Sequence, residues 1–103
     1  MNIQTITFDV TGMSEQQAHW YVESLRLGFG EFDGLAAHAR VRIPSSGRYV
    51  IFCTWESRHA LRAFRHSETY ARFVLSPHVV NLRDRDEIAE SVADEARTVA
   101  AAA

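Results

Sequence analysis

From Tyr49 to Trp55 the chain reads YVIFCTW, a strand-length run with almost no polar side chain on either face. Side chains of a strand alternate, so Tyr49, Ile51, Cys53 and Trp55 point one way and Val50, Phe52 and Thr54 the other. A strand exposed on one side shows polar residues there; this one does not, and must be covered on both sides. One layer of helices covers one face. A second sheet, supplied most economically by an identical subunit, covers the other. Glu56 and Ser57 end the run, and Ala60, Leu61 and Phe64 follow at helical spacing.

The rest of the chain must build around this strand within 103 residues, enough for one core but not for two. Hydrophobic residues make up 47% and charged residues 23%, an ordinary globular balance. A formal net charge of −2 gives no general attraction to nucleic acid or to anionic lipid. No apolar run reaches the roughly 20 residues that span a bilayer. MNIQTITFDV lacks the basic and apolar regions of a secretory leader, so a cytoplasmic location is expected. Cys53 stands alone, which excludes an internal disulfide. All eleven basic residues are arginine, which excludes a Schiff-base lysine and the lysine of a phosphate-binding loop.

Residues 2–10 alternate, with Gln4, Ile6, Phe8 and Val10 opposed to Ile3, Thr5, Thr7 and Asp9, and predict a first strand. Ser14 and Gln17 form a capping-box pair, and Ala18, Tyr21, Val22, Leu25 and Phe29 form the buried stripe of a helix. Trp20 and Leu27 lie on a second stripe, for which a further covering surface is expected. Gly28, Gly30 and Gly34 end the element. A second strand is expected over 35–43, a turn at Pro44-Ser45-Ser46-Gly47, and helical stretches after Ser57 and Ser67 up to Pro77. A fourth strand is expected from His78 to Arg83, then a closing helix from Asp86 to Ala100. The order is that of a ferredoxin-like α+β domain over residues 1–84, with a helical extension over 85–103. Its open sheet face predicts a homodimer joined through sheet faces, with Val50 and Phe52 in the shared barrel.

The segment RYVIFCTWESRHALRAFRHSETY, Arg48 to Tyr70, resembles the central strand-to-helix junction of the antibiotic-biosynthesis monooxygenase-like family of dimeric α+β barrels. Asp33-Gly34-Leu35 is similar to that family's Pro-Gly-aromatic lead-in to the second strand, with Asp in place of Pro. The resemblance covers about residues 2–83. It implies a cleft between sheet and helices that takes a small hydrophobic or aromatic ligand. Haem-degrading relatives use an asparagine, a tryptophan and an iron-ligating histidine where this chain has Ile6, Phe64 and Phe73, and none of these can replace them. Quinone-forming relatives place a tryptophan where Trp55 stands, while Ile51, Leu61 and Arg40 fill the other three characteristic positions. No cofactor is implied, and no glycine motif suited to flavin phosphate is present.

Under this resemblance Trp55 is the candidate stacking platform, Arg40 the group that holds a phenolate, and His38 the base. Ile6, Cys53, Phe64, Tyr70 and Phe73 are the candidate lining of the cleft. Each has a plainer role to set against this. Trp55 and the other aromatics can simply be core, and His38 with Arg40 can be the charged edge that deters sheet aggregation. Arg58, Arg62, Arg65 and Arg72 read as a solvated stripe. His59 and His66 lack a third ligand, so no metal site is expected. The expected function is a small cofactor-independent monooxygenase-like enzyme acting on an aromatic or polyketide-like intermediate. The alternative is a non-catalytic dimeric barrel that binds a small molecule or serves a structural role.

Overall fold

The computed structural model describes residues 1–43 and 47–88. Its elements are β1 (Asn2–Val10), α1 (Glu15–Phe29), β2 (Leu35–Ile43), β3 (Arg48–Trp55), α2 (Arg58–Arg65), α3 (Glu68–Val74) and β4 (Val79–Ile88). The strands form one antiparallel sheet in the order β2-β3-β1-β4. This is the ferredoxin-like α+β arrangement expected from the sequence. The doubly apolar β3 is a central strand, and the most charged strand, β4, lies at an edge.

Serine starts each helix. Ser14 Oγ accepts from the Gln17 amide at 3.2 Å while Gln17 Oε1 accepts from the Ser14 amide at 3.0 Å, the reciprocal pair expected for α1. Ser57 Oγ accepts from the Ala60 amide at 3.1 Å, and Ser67 Oγ from the Tyr70 amide at 3.2 Å. Each cap satisfies an amide that the helix cannot, a contribution of about 1 kcal/mol apiece.

The core lies between the helices and one face of the sheet. Ile6, Phe8, Tyr49, Ile51, Cys53 and Trp55 meet Ala18, Val22, Phe29, Leu61, Phe64 and Phe73 there. Aromatic edges meet faces at several points: Phe29 to Phe64 at 4.9 Å, Phe8 to Phe73 at 5.0 Å, Phe32 to Phe64 at 5.1 Å. On the other face Phe52 is 40% exposed in the single chain, although Val50 beside it is buried.

Several local expectations change. Gly28 lies inside α1, and Gly30 alone caps it. Trp20 and Leu27 remain exposed, so no element of the described chain covers the second stripe of α1. β4 continues past Arg83 to Ile88, because β1 offers partners to its very start, with Ile3 opposite Glu87 and Asn2 opposite Ile88. Its charged sequence hid the strand, and the expected 84/85 boundary falls inside it. The closing helix, expected from Asp86, otherwise lies outside the described residues, as does the turn before Gly47. No helix among the described residues is long and apolar enough to cross a membrane.

Gly34 joins α1 to the sheet at a point where no side chain fits. Its φ is +85°, and a Cβ there would stand 2.5 Å from the Ala60 Cβ at the start of α2. Its carbonyl accepts the Glu56 amide at 2.7 Å, which holds the strand end of β3 in place. Gly34→Ala should therefore destabilise the fold by more than about 1 kcal/mol in urea unfolding. Adding Ala60→Gly should restore only part of that loss, since the steric contact is relieved and the backbone strain is not.

Candidate functional site

Near its start, β1 carries a polar residue that the core cannot leave alone. Gln4 is fully buried, opposite Cys53 on β3 and Asp86 on β4. Its Oε1 accepts the Trp55 indole N–H at 2.9 Å, and its Nε2 donates to both oxygens of Asp84 at 3.0 and 3.1 Å. Asp84 also receives Arg65 of α2, through Nη2 at 2.7 Å and Nε at 3.2 Å, and the Tyr70 hydroxyl of α3 at 2.5 Å. Arg65 reaches Asp86 as well, at 3.0 Å. Three strands and two helices thus meet in one hydrogen-bonded network.

This network governs the titration of its neighbours. Burial first, then the bond to Asp84, raises the Tyr70 phenol well above the ordinary tyrosine range. Tyr70 is accordingly a hydrogen-bond donor at neutral pH and not a phenolate. Burial, with the Asp84 charge second, pushes the Cys53 thiol up to about 12, so it does not serve as a thiolate nucleophile.

A second cluster links β2 to α1 at the sheet edge. Glu23 accepts from Arg26, one turn along its own helix, and from Arg40 Nε at 2.9 Å. Arg26 Nη1 lies 3.0 Å from His38 Nδ1. Arginine only donates, so Nδ1 accepts and the ring proton of this arrangement sits on Nε2. The nitrogen through which His38 would take a proton is thus occupied, and the charge of Arg40 is already met by Glu23. Arg26 foremost, and then Arg40, push Glu23 down to about 2.

The third feature is a groove of about 670 Å³ between α1 and α3, bordered by Tyr21, Leu25, Phe73, Leu75, Ser76 and Pro77. Tyr21 donates to Ser76 Oγ at 3.0 Å across it. Arg72 and Glu68, paired at 2.6 Å, stand at its rim. The lining is largely apolar, and the volume lies within the ~300–1,000 Å³ typical of small-molecule sites.

The candidate residues are distributed over these three places. Trp55, Ile6, Cys53 and Phe64 are fully buried, with Trp55 and Phe64 rings 5.0 Å apart and filling the space between sheet and helices. Phe73 is in the core and also borders the groove. Tyr70 belongs to the Asp84 network, and His38 and Arg40 to the Glu23 cluster. His38 and Arg40 share a sheet face with Trp55 but are engaged by α1 and do not converge on its indole. Arg65 leaves the solvated stripe for Asp84. Gln4 and Asp84, the centre of the network, were missed. The only sequence signal was a glutamine on the apolar face of an alternating strand. Among the described residues no three His, Cys, Asp or Glu side chains are grouped so as to hold a metal ion.

No family model matches this sequence, and no curated protein matches it. Solved structures do resemble it. A protein from Deinococcus radiodurans, provisionally named an antibiotic biosynthesis monooxygenase, superposes with a TM-score of 0.72 at 16% identity, over 85% of this chain and 91% of that one. A similarly named protein from Nitrosomonas europaea gives 0.68 at 10% identity, over 85% and 97%. A mutant of SnoaB, a cofactor-independent oxygenase from Streptomyces nogalater, gives 0.67 at 14% identity, over 84% and 91%. At these identities the likeness is one of fold, and the fold is the monooxygenase-like one that the Arg48–Tyr70 segment suggested.

Two outcomes follow from the clusters. Gln4→Leu leaves the buried Trp55 N–H without its acceptor and should cost about 1–3 kcal/mol in equilibrium unfolding. Glu23 has its value lowered from 4.5 to about 2 in the folded chain. The stabilisation it supplies is therefore complete above the unfolded value and is lost as pH falls through the folded one. Melting temperatures of the native chain and Glu23→Gln should differ most above pH 4.5 and converge by about pH 2.

Proposed function

We propose that this chain is a homodimeric α+β barrel protein that binds a flat, hydrophobic small molecule in the groove between α1 and α3. The observation that carries this reading is the groove itself. It offers about 670 Å³ with Leu25, Phe73, Leu75 and Pro77 as apolar walls and the Tyr21–Ser76 pair as polar handle. Aromatic and aliphatic walls with few polar groups select planar apolar ligands, and a paired hydroxyl can exchange its partner for a ligand oxygen. The dimer is inferred from Val50 and Phe52 on the open face of a central strand. A partner sheet would remove the exposed ring of Phe52 from water.

Cofactor-independent oxygenation of an aromatic or polyketide-like phenol is the second reading. One observation favours it: Trp55 ends β3 just before α2, as in the quinone-forming proteins this segment resembles, and SnoaB shares the fold. There Trp55 would stack on the substrate, Arg40 hold the phenolate and His38 take its proton, with Ile6, Cys53, Phe64, Tyr70 and Phe73 as walls. This requires the aromatic core to part and Arg26 and Glu23 to release His38 and Arg40. Binding in the groove requires neither, and so ranks first.

Anthrone, a planar phenol-forming probe, should bind in equilibrium dialysis and lose at least tenfold in affinity in Ala71→Trp, which fills the groove. Trp55→Phe should leave that affinity within about twofold. Oxygen uptake with anthrone that falls tenfold or more in Trp55→Phe or Arg40→Ala would replace the binding reading with the oxygenase one. Sedimentation at micromolar concentration should give a dimer, and Phe52→Glu should split or unfold it, because it buries an unpaired charge.

A further inference from the structure

The open face of the sheet changes character between β3 and β4. On the β1–β4 pair, Thr5 stands opposite Arg85 and Thr7 opposite Arg83. With Arg48 of β3 these side chains enclose a pocket of about 220 Å³, on the other side of the sheet from the α1–α3 groove. Residues two apart on a strand lie roughly 6.5–7 Å from each other, and paired strands about 4.8 Å apart. The pocket is therefore a small frame with two guanidinium groups along one side and two hydroxyls along the other.

Its charge is not offset by any carboxylate that borders it. Arg26, Arg40, Arg42, Arg48, Arg65 and Arg72 each pair with a carboxylate. The side chains of Arg83 and Arg85, like those of Arg58 and Arg62 on the exposed side of α2, have no hydrogen bond or ion pair with any described residue, although acids outnumber arginines thirteen to eleven in the whole sequence. The nearest carboxylates on this face are otherwise placed. Asp9 accepts from Arg48 Nε at 3.2 Å and from Asn81 Nδ2 at 2.9 Å. Those two bonds, Asn81 first, hold the Asp9 carboxyl below its ordinary range. Glu87 lies two residues past Arg85, opposite Ile3, and does not border the pocket. Two like charges thus sit on one strand face with hydroxyl donors across from them and no acid in the lining.

We propose that this pocket binds a compact oxyanion of the phosphate class. Arg83 and Arg85 provide planar donor forks matched to paired oxygens, Thr5 and Thr7 provide hydroxyl donors, and Arg48, steadied by Asp9, forms the third wall. The size argues for the same class, since 220 Å³ falls below the ~300–1,000 Å³ that drug-sized ligands occupy. A bound anion would also offset the repulsion between the two arginines. It would let this half of the face lie against a second sheet without uncompensated charge. The site stands apart from the α1–α3 groove, and loss of one leaves the other intact.

Calorimetric titration of the intact protein with inorganic phosphate, against sodium chloride of equal ionic strength, tests this. Saturable binding near one anion per chain is expected, with a raised melting temperature. Arg83→Gln and Arg85→Gln should each weaken it at least tenfold, and Thr7→Val severalfold. Arg58→Gln and Arg62→Gln, at exposed positions on α2, should leave it unchanged. All variants should melt normally without phosphate, since the altered side chains are outside the core. Phenyl phosphate binding more tightly than inorganic phosphate identifies a phosphoryl group on a larger molecule, and the reverse order identifies the free ion. Heat no greater than with chloride, or equal losses in the α2 variants, overturns the proposal. So does a phosphate-insensitive protein whose dimer dissociates in Arg85→Gln, because the arginine would then pair with a carboxylate of a second copy.

Discussion

A carboxamide with no access to water sits at the centre of this protein, and the surrounding structure answers its demands. Gln4 has both an acceptor and a donor to satisfy, and leaving either unmet would cost about 1–3 kcal/mol. Trp55 supplies the donor and Asp84 the acceptor. A largely desolvated aspartate is itself costly alone, so Arg65 and Tyr70 complete it. The side chains of α2 and α3 that hold the helices to the edge strand are those that neutralise this one acid. The polar centre thus joins helices to sheet where apolar contact alone would set no particular angle.

Around it the aromatic residues close the interior. Phe64 has Phe29, Phe32, Trp55 and Tyr70 as ring neighbours, within 4.9 to 5.2 Å. A fold that in SnoaB serves an oxygenase is here packed solid at the end of β3. Open volume lies instead on the flank, between α1 and α3.

Much of the fold was legible because strand alternation and serine caps are local signals. The faces of β1, the Ser14–Gln17 pair and the serines before α2 and α3 needed no partner elsewhere to be recognised. The extent of β4 was not legible. Arg83, Asp84, Arg85, Asp86 and Glu87 have poor strand preference, and they extend only because β1 is already there to pair with. The polar network around Gln4 was not legible for a related reason. Trp55 and Tyr70 were recognisable as aromatic residues at suggestive places, but their partners lie far away in sequence. Gln4 and Asp84 are 80 residues apart, and nothing in a linear pattern marks them as neighbours. His38 and Arg40 lie on the Trp55 side of the sheet, opposite Cys53 and Ile51. Their engagement by Glu23 and Arg26 depends on how α1 crosses β2, which periodicity does not determine.

The buried carboxamide also has a consequence for how the sheet assembles. Alternation forbids β1 from sliding by one residue, since that would turn its apolar side outward. It does not forbid sliding by two, which keeps every side chain on its own side. A two-residue slip would move Gln4 away from the Trp55 indole and from Asp84, leaving the buried carboxamide and the indole N–H without partners. Misaligned pairings that hydrophobicity alone would tolerate are thereby penalised, and the first strand has one alignment in which nothing is left wanting.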